Sequence, residues 1–120
     1  MSLLTIILAS LAALEHLYIF YLESIKTTSD TTSRVFNMDK EELARPSVTS
    51  LFKNQGIYNA LIALALLYSA FCSENGKELS CILLVYCVLV AIYGALTSSW
   101  KILMKQGFLP FLALLFLLIL

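Results

Sequence analysis

Apolar residues in this chain run in long blocks, near 3–22, 56–72, 81–97 and 107–120, with few polar residues between their ends. A helix built from such a block is apolar on nearly every side rather than along one stripe, so it has no face to offer to water. Each block is long enough to cross a bilayer core of roughly 30 Å, the last one only when residues 102–106 are added to it. The whole chain is 120 residues, 60% hydrophobic and 13% charged, and a soluble domain of that size has too little interior to hide so much apolar surface. The blocks predict an all-α membrane protein, a four-transmembrane-helix bundle with spans about 2–24, 47–72, 81–99 and 102–120, forming a single transmembrane domain over 1–120. The lipid bilayer is then its first partner.

Eight basic and eight acidic residues cancel, so no overall field draws the chain to nucleic acid. The distribution of the basic residues carries more information than their sum. Lys26, Arg34, Lys40, Arg45 and Lys53 lie in the connection between the first and second blocks, Lys101 and Lys105 in that between the third and fourth, and only Lys77 in the remaining one. The positive-inside bias puts the 23–55 and 98–106 loops in the cytoplasm and both termini outside, in a multi-pass membrane protein. The first block has no basic segment ahead of it and is interrupted by Glu15-His16, so it reads as a retained helix rather than a cleaved signal.

Between the first two spans, Lys26 to Arg34 is rich in Ser and Thr and too polar to pack a core. Asn37 to Ala44 reads as a short cytoplasmic surface helix, with Asp39 three residues ahead of Glu42 in the manner of a capping box. Pro46 ends that helix and suits the first turn of the next. Ser73 to Ser80 is a tight polar turn around Asn75-Gly76, which makes the second and third spans an antiparallel hairpin. Pro110 removes a backbone donor within the fourth span and is expected to kink it. Cys72 and Cys81 bracket the Asn75-Gly76 turn, and the sequence leaves open whether they form a disulfide. No cofactor motif is present, and one histidine with scattered cysteines makes no metal-ligand spacing.

The residues able to carry chemistry are polar groups inside apolar blocks. A carboxylate in mid-membrane costs at least ~2.5 kcal/mol on insertion scales, so Glu15 needs a protein partner, water or a proton. His16 is adjacent but points about 100° away, so the two do not pair face to face. Helical steps place Ala9, Ala13, His16, Phe20 and Glu23 on one stripe, with Ala12, Glu15, Ile19 and Leu22 beside it. Small residues above polar ones describe a face that packs inward. In the second span Gln55, Tyr58 and Asn59 share a face, with Asn54 next to them, and all ask for hydrogen-bond partners. In the third, Tyr86, Val90, Tyr93 and Thr97 form a stripe, and Gln106 opens the fourth. Glu23, Asn54, Gln55, Tyr58, Asn59, Tyr93 and Gln106 all fall toward the cytoplasmic ends of their helices, with Glu15 and His16 deeper. The expectation is a polar cavity open to the cytoplasmic leaflet and floored by the Glu15-His16 pair.

The segments Leu14-Glu-His-Leu-Tyr18, Tyr21-Leu-Glu23, Asn54-Gln-Gly-Ile-Tyr-Asn59 and Ile92-Tyr-Gly-Ala95, followed by Lys101 and Gln106-Gly107, resemble domain-of-unknown-function family 1304, a group of small bacterial membrane proteins. The resemblance spans nearly the whole chain in order, and Asn54 to Asn59 is its most specific part. It implies the architecture and the site candidates but no reaction.

Three functional readings follow from the residues. One is a binder of a small solute or lipid-like ligand, or a proton-coupled transporter, whose helix-one carboxylate is similar in general design to that of the small multidrug resistance transporters. A bundle this small would need a homo-oligomer to enclose a path. A second is an intramembrane enzyme in which His16 acts as acid or base and Glu15 or Glu23 orients it. The third is a structural accessory subunit whose polar residues lock the helices together.

Overall fold

In the computed structural model, which describes residues 1–120, every regular element is a helix. Helix α1 runs Leu3–Ile25, ending in a π turn at Tyr21–Ile25, and α2 and α3 are the short helices Asp30–Phe36 and Lys40–Leu43. Helix α4 is Pro46–Phe71, α5 is Gly76–Thr97, and α6 is Trp100–Ile119 with a π turn at Leu103–Gly107. Three of the six, α1, α5 and α6, are long and apolar enough to cross a membrane. This corrects the expectation of four helices that all meet that standard. Helix α4 has the length, at 26 residues, but Ser47, Thr49, Ser50, Lys53, Asn54, Gln55 and Asn59 make its first half too polar.

The segment between α1 and α4 is a second correction, since two helices stand where one surface helix was expected. The Ser- and Thr-rich run that reads as unable to pack begins with Ser29 capping α2, its hydroxyl accepting the Thr32 amide at 3.2 Å. Asn37 ends α2 in the left-handed conformation, where its short polar side chain is better tolerated than most. Asp39 does sit at the start of α3, but without a capping hydrogen bond from its side chain.

The chain divides into two compact units, one comprising Met1–Glu15 with Ile62–Leu120 and the other His16–Leu61. In the first, α5 and α6 pack against each other as an antiparallel pair. The buried positions of α5 are Gly76, Ser80, Leu84, Cys87 and Ala91, and those of α6 are Gly107, Pro110, Ala113 and Leu117. Spacings of three and four put each set on one helical face. The side chains turned outward include Ile82, Leu89, Ile92 and Leu96 on α5 and Phe111, Leu115 and Leu118 on α6, which water would solvate poorly and lipid well. The π turn of α6 closes three residues before Pro110. The proline ring crowds the carbonyl four residues back, at Gln106, and widening the preceding turn accommodates it.

The hairpin of α4 and α5 is held by two serines, one in the last turn of α4 and one in the second turn of α5. Ser69 and Ser80 are both buried, their hydroxyls 2.7 Å apart, and Ser69 Oγ donates to the Leu66 carbonyl at 2.7 Å. Ser80 Oγ is therefore the donor to Ser69, and both hydroxyl protons are placed. The approach depends on Gly76, where any Cβ would strike the Ser69 carbonyl oxygen. The three cysteines are free thiols, Cys87 buried, Cys81 half-buried and Cys72 exposed.

Candidate functional site

The inward face expected of α1 is present. Ala9, Ala12, Ala13, His16, Ile19, Leu22 and Glu23 are buried, with Glu15 and Phe20 half-buried at its margin. Small residues in the first half let neighbouring helices come close, and the polar ones follow in the second.

Within the unit His16–Leu61, one polar side chain, that of Asn59, reaches the carboxyl of Glu23. Glu23 is 3% exposed, and its Oε1 accepts a hydrogen bond from Asn59 Nδ2 at 2.6 Å. The same amide also donates to the Gln55 carbonyl one turn back on α4, at 3.4 Å, so both of its protons are engaged and its orientation is set. The donor to the Glu23 carboxyl is Asn59, on Oε1, and the fully enclosed oxygen without a partner is Glu15 Oε1 rather than Glu23 Oε2. The nearest basic residue on α4, Lys53, does not neutralise the Glu23 carboxyl. Its ammonium donates to the Ser24 carbonyl at 3.2 Å, while Ser24 Oγ donates back to the Lys53 carbonyl at 2.8 Å. Gly56 makes this crossing possible, because a side chain there would run into the Ser24 hydroxyl, Cβ and amide.

A ring of hydroxyls completes the end of α1. Its last carbonyls have no partner inside the helix, and they are satisfied from the Thr-rich run that follows. Thr27 Oγ1 donates to the Glu23 carbonyl at 2.7 Å, and the fully buried Thr32 Oγ1 lies 2.6 Å from the Lys26 carbonyl and 3.0 Å from that of Leu22. Edge-to-face packing of Phe36 on Phe52, with ring centroids 5.2 Å apart, and the buried Leu43 complete the apolar side of this unit.

A family model described as "Protein of unknown function (DUF1304)" matches residues 10–118. The chain belongs to the DUF1304 family. It is 60% identical over 114 residues, 95% of this chain and 96% of the relative, to "Uncharacterized protein YpaA" of Lactococcus lactis. No solved structure matches the chain. The DUF1304 match takes in every candidate residue from Glu15 to Gln106, yet its description names no activity. The chemistry has to be argued from the side chains themselves.

Of the nine residues singled out from the sequence, the structure joins Glu23 and Asn59 directly and sets Gln55 beside them through its carbonyl. His16 is buried on the inward face of α1. Glu15 is half-buried, and its Oε1 is buried with no hydrogen-bond partner. Asn54 and Gln55 have exposed side chains, as does Tyr58, at 59%. Tyr93, at 69% exposed, stands with Tyr86, Val90 and Thr97 on the outer side of α5, opposite its buried face. Gln106 is half-buried in the π turn of α6. Sequence reasoning missed Ser24, Lys53, Thr27 and Thr32 around Glu23, because their contacts run through backbone carbonyls that leave no mark in the residue pattern. It also missed Ser69 and Ser80, which do leave one: each is a small hydroxyl residue set in an apolar stretch on one side of the Asn75-Gly76 turn.

Proposed function

We propose that this chain is a multi-pass protein of the bacterial cytoplasmic membrane that binds a small polar solute or lipid-like ligand through Glu23, on the cytoplasmic side. The observation that carries this reading is the half-used carboxyl. Asn59 holds one oxygen, no ion pair from Lys53 reaches the carboxyl, and the second oxygen is free to take a hydrogen-bond donor from outside the protein. A nearly buried carboxyl whose only protein partner is a neutral amide suits a ligand that brings an ammonium or hydroxyl. Exchange of that ligand against a proton at the same oxygen would extend binding to proton-coupled transport.

Four spans belong to the same proposal. Helix α4 is ~39 Å long at 1.5 Å per residue, more than the roughly 30 Å a bilayer core requires. Its outward positions Ile57, Leu61, Leu64, Tyr68 and Phe71 are apolar or aromatic. With α4 as a span, seven of the eight basic residues sort to one side, Lys77 to the other, and both termini lie outside. In a background lacking the native cysteines, Glu74→Cys should react with an impermeant maleimide in intact cells and Glu41→Cys should not; the reverse pattern would invert the topology.

The ligand reading is tested by extracting wild type and Glu23→Gln in native membrane patches and identifying, by mass spectrometry, the small molecules each releases. A glutamine keeps the acceptor that Asn59 uses, so the fold should survive. Wild type should release a compound that Glu23→Gln lacks. Identical sets from both proteins would leave the structural reading, which the Glu23–Asn59 bond also favours, since one interhelical hydrogen bond is itself a means of fixing packing.

A further inference from the structure

A second site lies within the unit that contains α5 and α6, and it does not rest on the reading of Glu23. Glu74, Lys77 and Glu78, from the α4–α5 turn and the first turn of α5, line an open groove whose floor is Ile82 with Leu117 and Leu118 from the end of α6. All three charged residues are exposed. No ion pair joins Lys77 to either carboxylate, although Glu78 is its sequence neighbour and Glu74 is three residues away; the ion pairs of the chain are Lys40–Asp30 and Arg45–Glu42. The groove therefore presents one positive and two negative charges that remain open to an outside partner. Its apolar floor belongs to helices long enough to cross a membrane, and the charges stand at their ends, the level at which lipid headgroups lie.

We infer that this groove holds a phospholipid whose headgroup carries both an ammonium and a phosphate. Glu74 and Glu78 face the ammonium, Lys77 faces the phosphate, and an acyl chain follows Ile82, Leu117 and Leu118 into the bilayer. A water-soluble zwitterion would match the charges but would have no use for the floor. A lipid with an uncharged headgroup alcohol would satisfy Lys77 and leave both carboxylates unmatched.

Purified protein in detergent, given equal amounts of phosphatidylethanolamine and phosphatidylglycerol with the same acyl chains, separates these cases when bound lipid is counted by native mass spectrometry. Wild type should retain phosphatidylethanolamine roughly fivefold over phosphatidylglycerol, the scale of one partly exposed ion pair. Glu74→Gln with Glu78→Gln should bring the ratio close to parity, and Lys77→Gln should weaken retention of both lipids together. These side chains are exposed, so a helical circular dichroism spectrum matching wild type is expected of every variant. Equal retention of the two lipids by wild type would overturn the proposal. So would a preference that survives loss of both carboxylates, or lipid retention indifferent to Lys77.

Discussion

The two units contain interhelical polar links of opposite character. In Met1–Glu15 with Ile62–Leu120, Ser69 and Ser80 sit face to face and place both of their protons, one on the other hydroxyl and one on the Leu66 carbonyl. In His16–Leu61, both amide protons of Asn59 are engaged, while of the carboxyl it holds only Oε1 is taken by that amide. A closed, buried pair of hydroxyls with both protons placed has no donor left to offer and serves to hold helices together. An open carboxyl holds helices together and still has capacity for a ligand. The contrast teaches that buried polarity in a bundle of apolar helices is informative about function in proportion to the hydrogen-bonding capacity the protein leaves unused.

The largest effects should come from the glycines that let each link form. Gly76→Ala drives a methyl group into the Ser69 carbonyl, which is backbone and cannot turn aside, whereas Gly56→Ala meets first the Ser24 hydroxyl, which can rotate. Overpacking costs about 1–3 kcal/mol. Gly76→Ala should lie at the upper end of that range and Gly56→Ala at the lower, read as loss of midpoint in thermal unfolding of the detergent-solubilised protein. Equal losses would mean that the Ser24 side chain is as firmly held as the backbone.

Next come the polar partners. Asn59→Ala strands the Glu23 carboxyl, and leaving a buried acceptor without its donor costs about 1–3 kcal/mol. Ser80→Ala leaves Ser69 still bonded to Leu66 and should cost about 1 kcal/mol or less. A Ser80→Ala loss as large as that of Asn59→Ala would erase the distinction between closed and open links. Glu23→Gln should unfold close to wild type, because its amide oxygen can still accept from Asn59, and a large loss there would favour a purely structural role.

The smallest effect is expected outside the long apolar helices, at Asp30. Lys40 Nζ lies 2.8 Å from its Oδ1 and holds the carboxyl below the usual carboxylate range, first through the hydrogen bond and then through its charge, with a smaller contribution from Arg34. Any stability from this pair is present above the ordinary aspartate range and disappears as pH falls through the lowered value. The pair is exposed on both sides and screened by water. Asp30→Asn should therefore unfold with wild type in a pH series, and a gap that opened only above the acid range would show the pair to be stronger than its exposure implies.

Helices and their apolar length were legible in the chain because both depend on local composition. A run such as Cys81 to Thr97 is apolar wherever it is read, and a period of three to four assigned Ala9, Ala13, His16 and Glu23 to one face before any partner was known. The bounds of α1, α4, α5 and α6 fall within a few residues of those expected, except that α5 begins earlier, at Gly76, because the first turn of the helix absorbs the polar end of the turn. The Thr-rich run 26–34 was misread, since its hydroxyls look solvent-seeking in sequence and only the ended α1, with carbonyls to satisfy, gives Thr27 and Thr32 a reason to be buried. Polarity alone also could not say which side of a helix a residue occupies, so Tyr93 and Asn59 looked equivalent. What the sequence by itself determined was an inventory of apolar helices with carboxylates, amides and hydroxyls set in them. Which of those groups found partners, Glu23 with Asn59 and Ser69 with Ser80, and which were left with an unpartnered oxygen, was decided only by tertiary structure, because a hydrogen bond is made between atoms brought within about 3 Å and no composition or period fixes that distance.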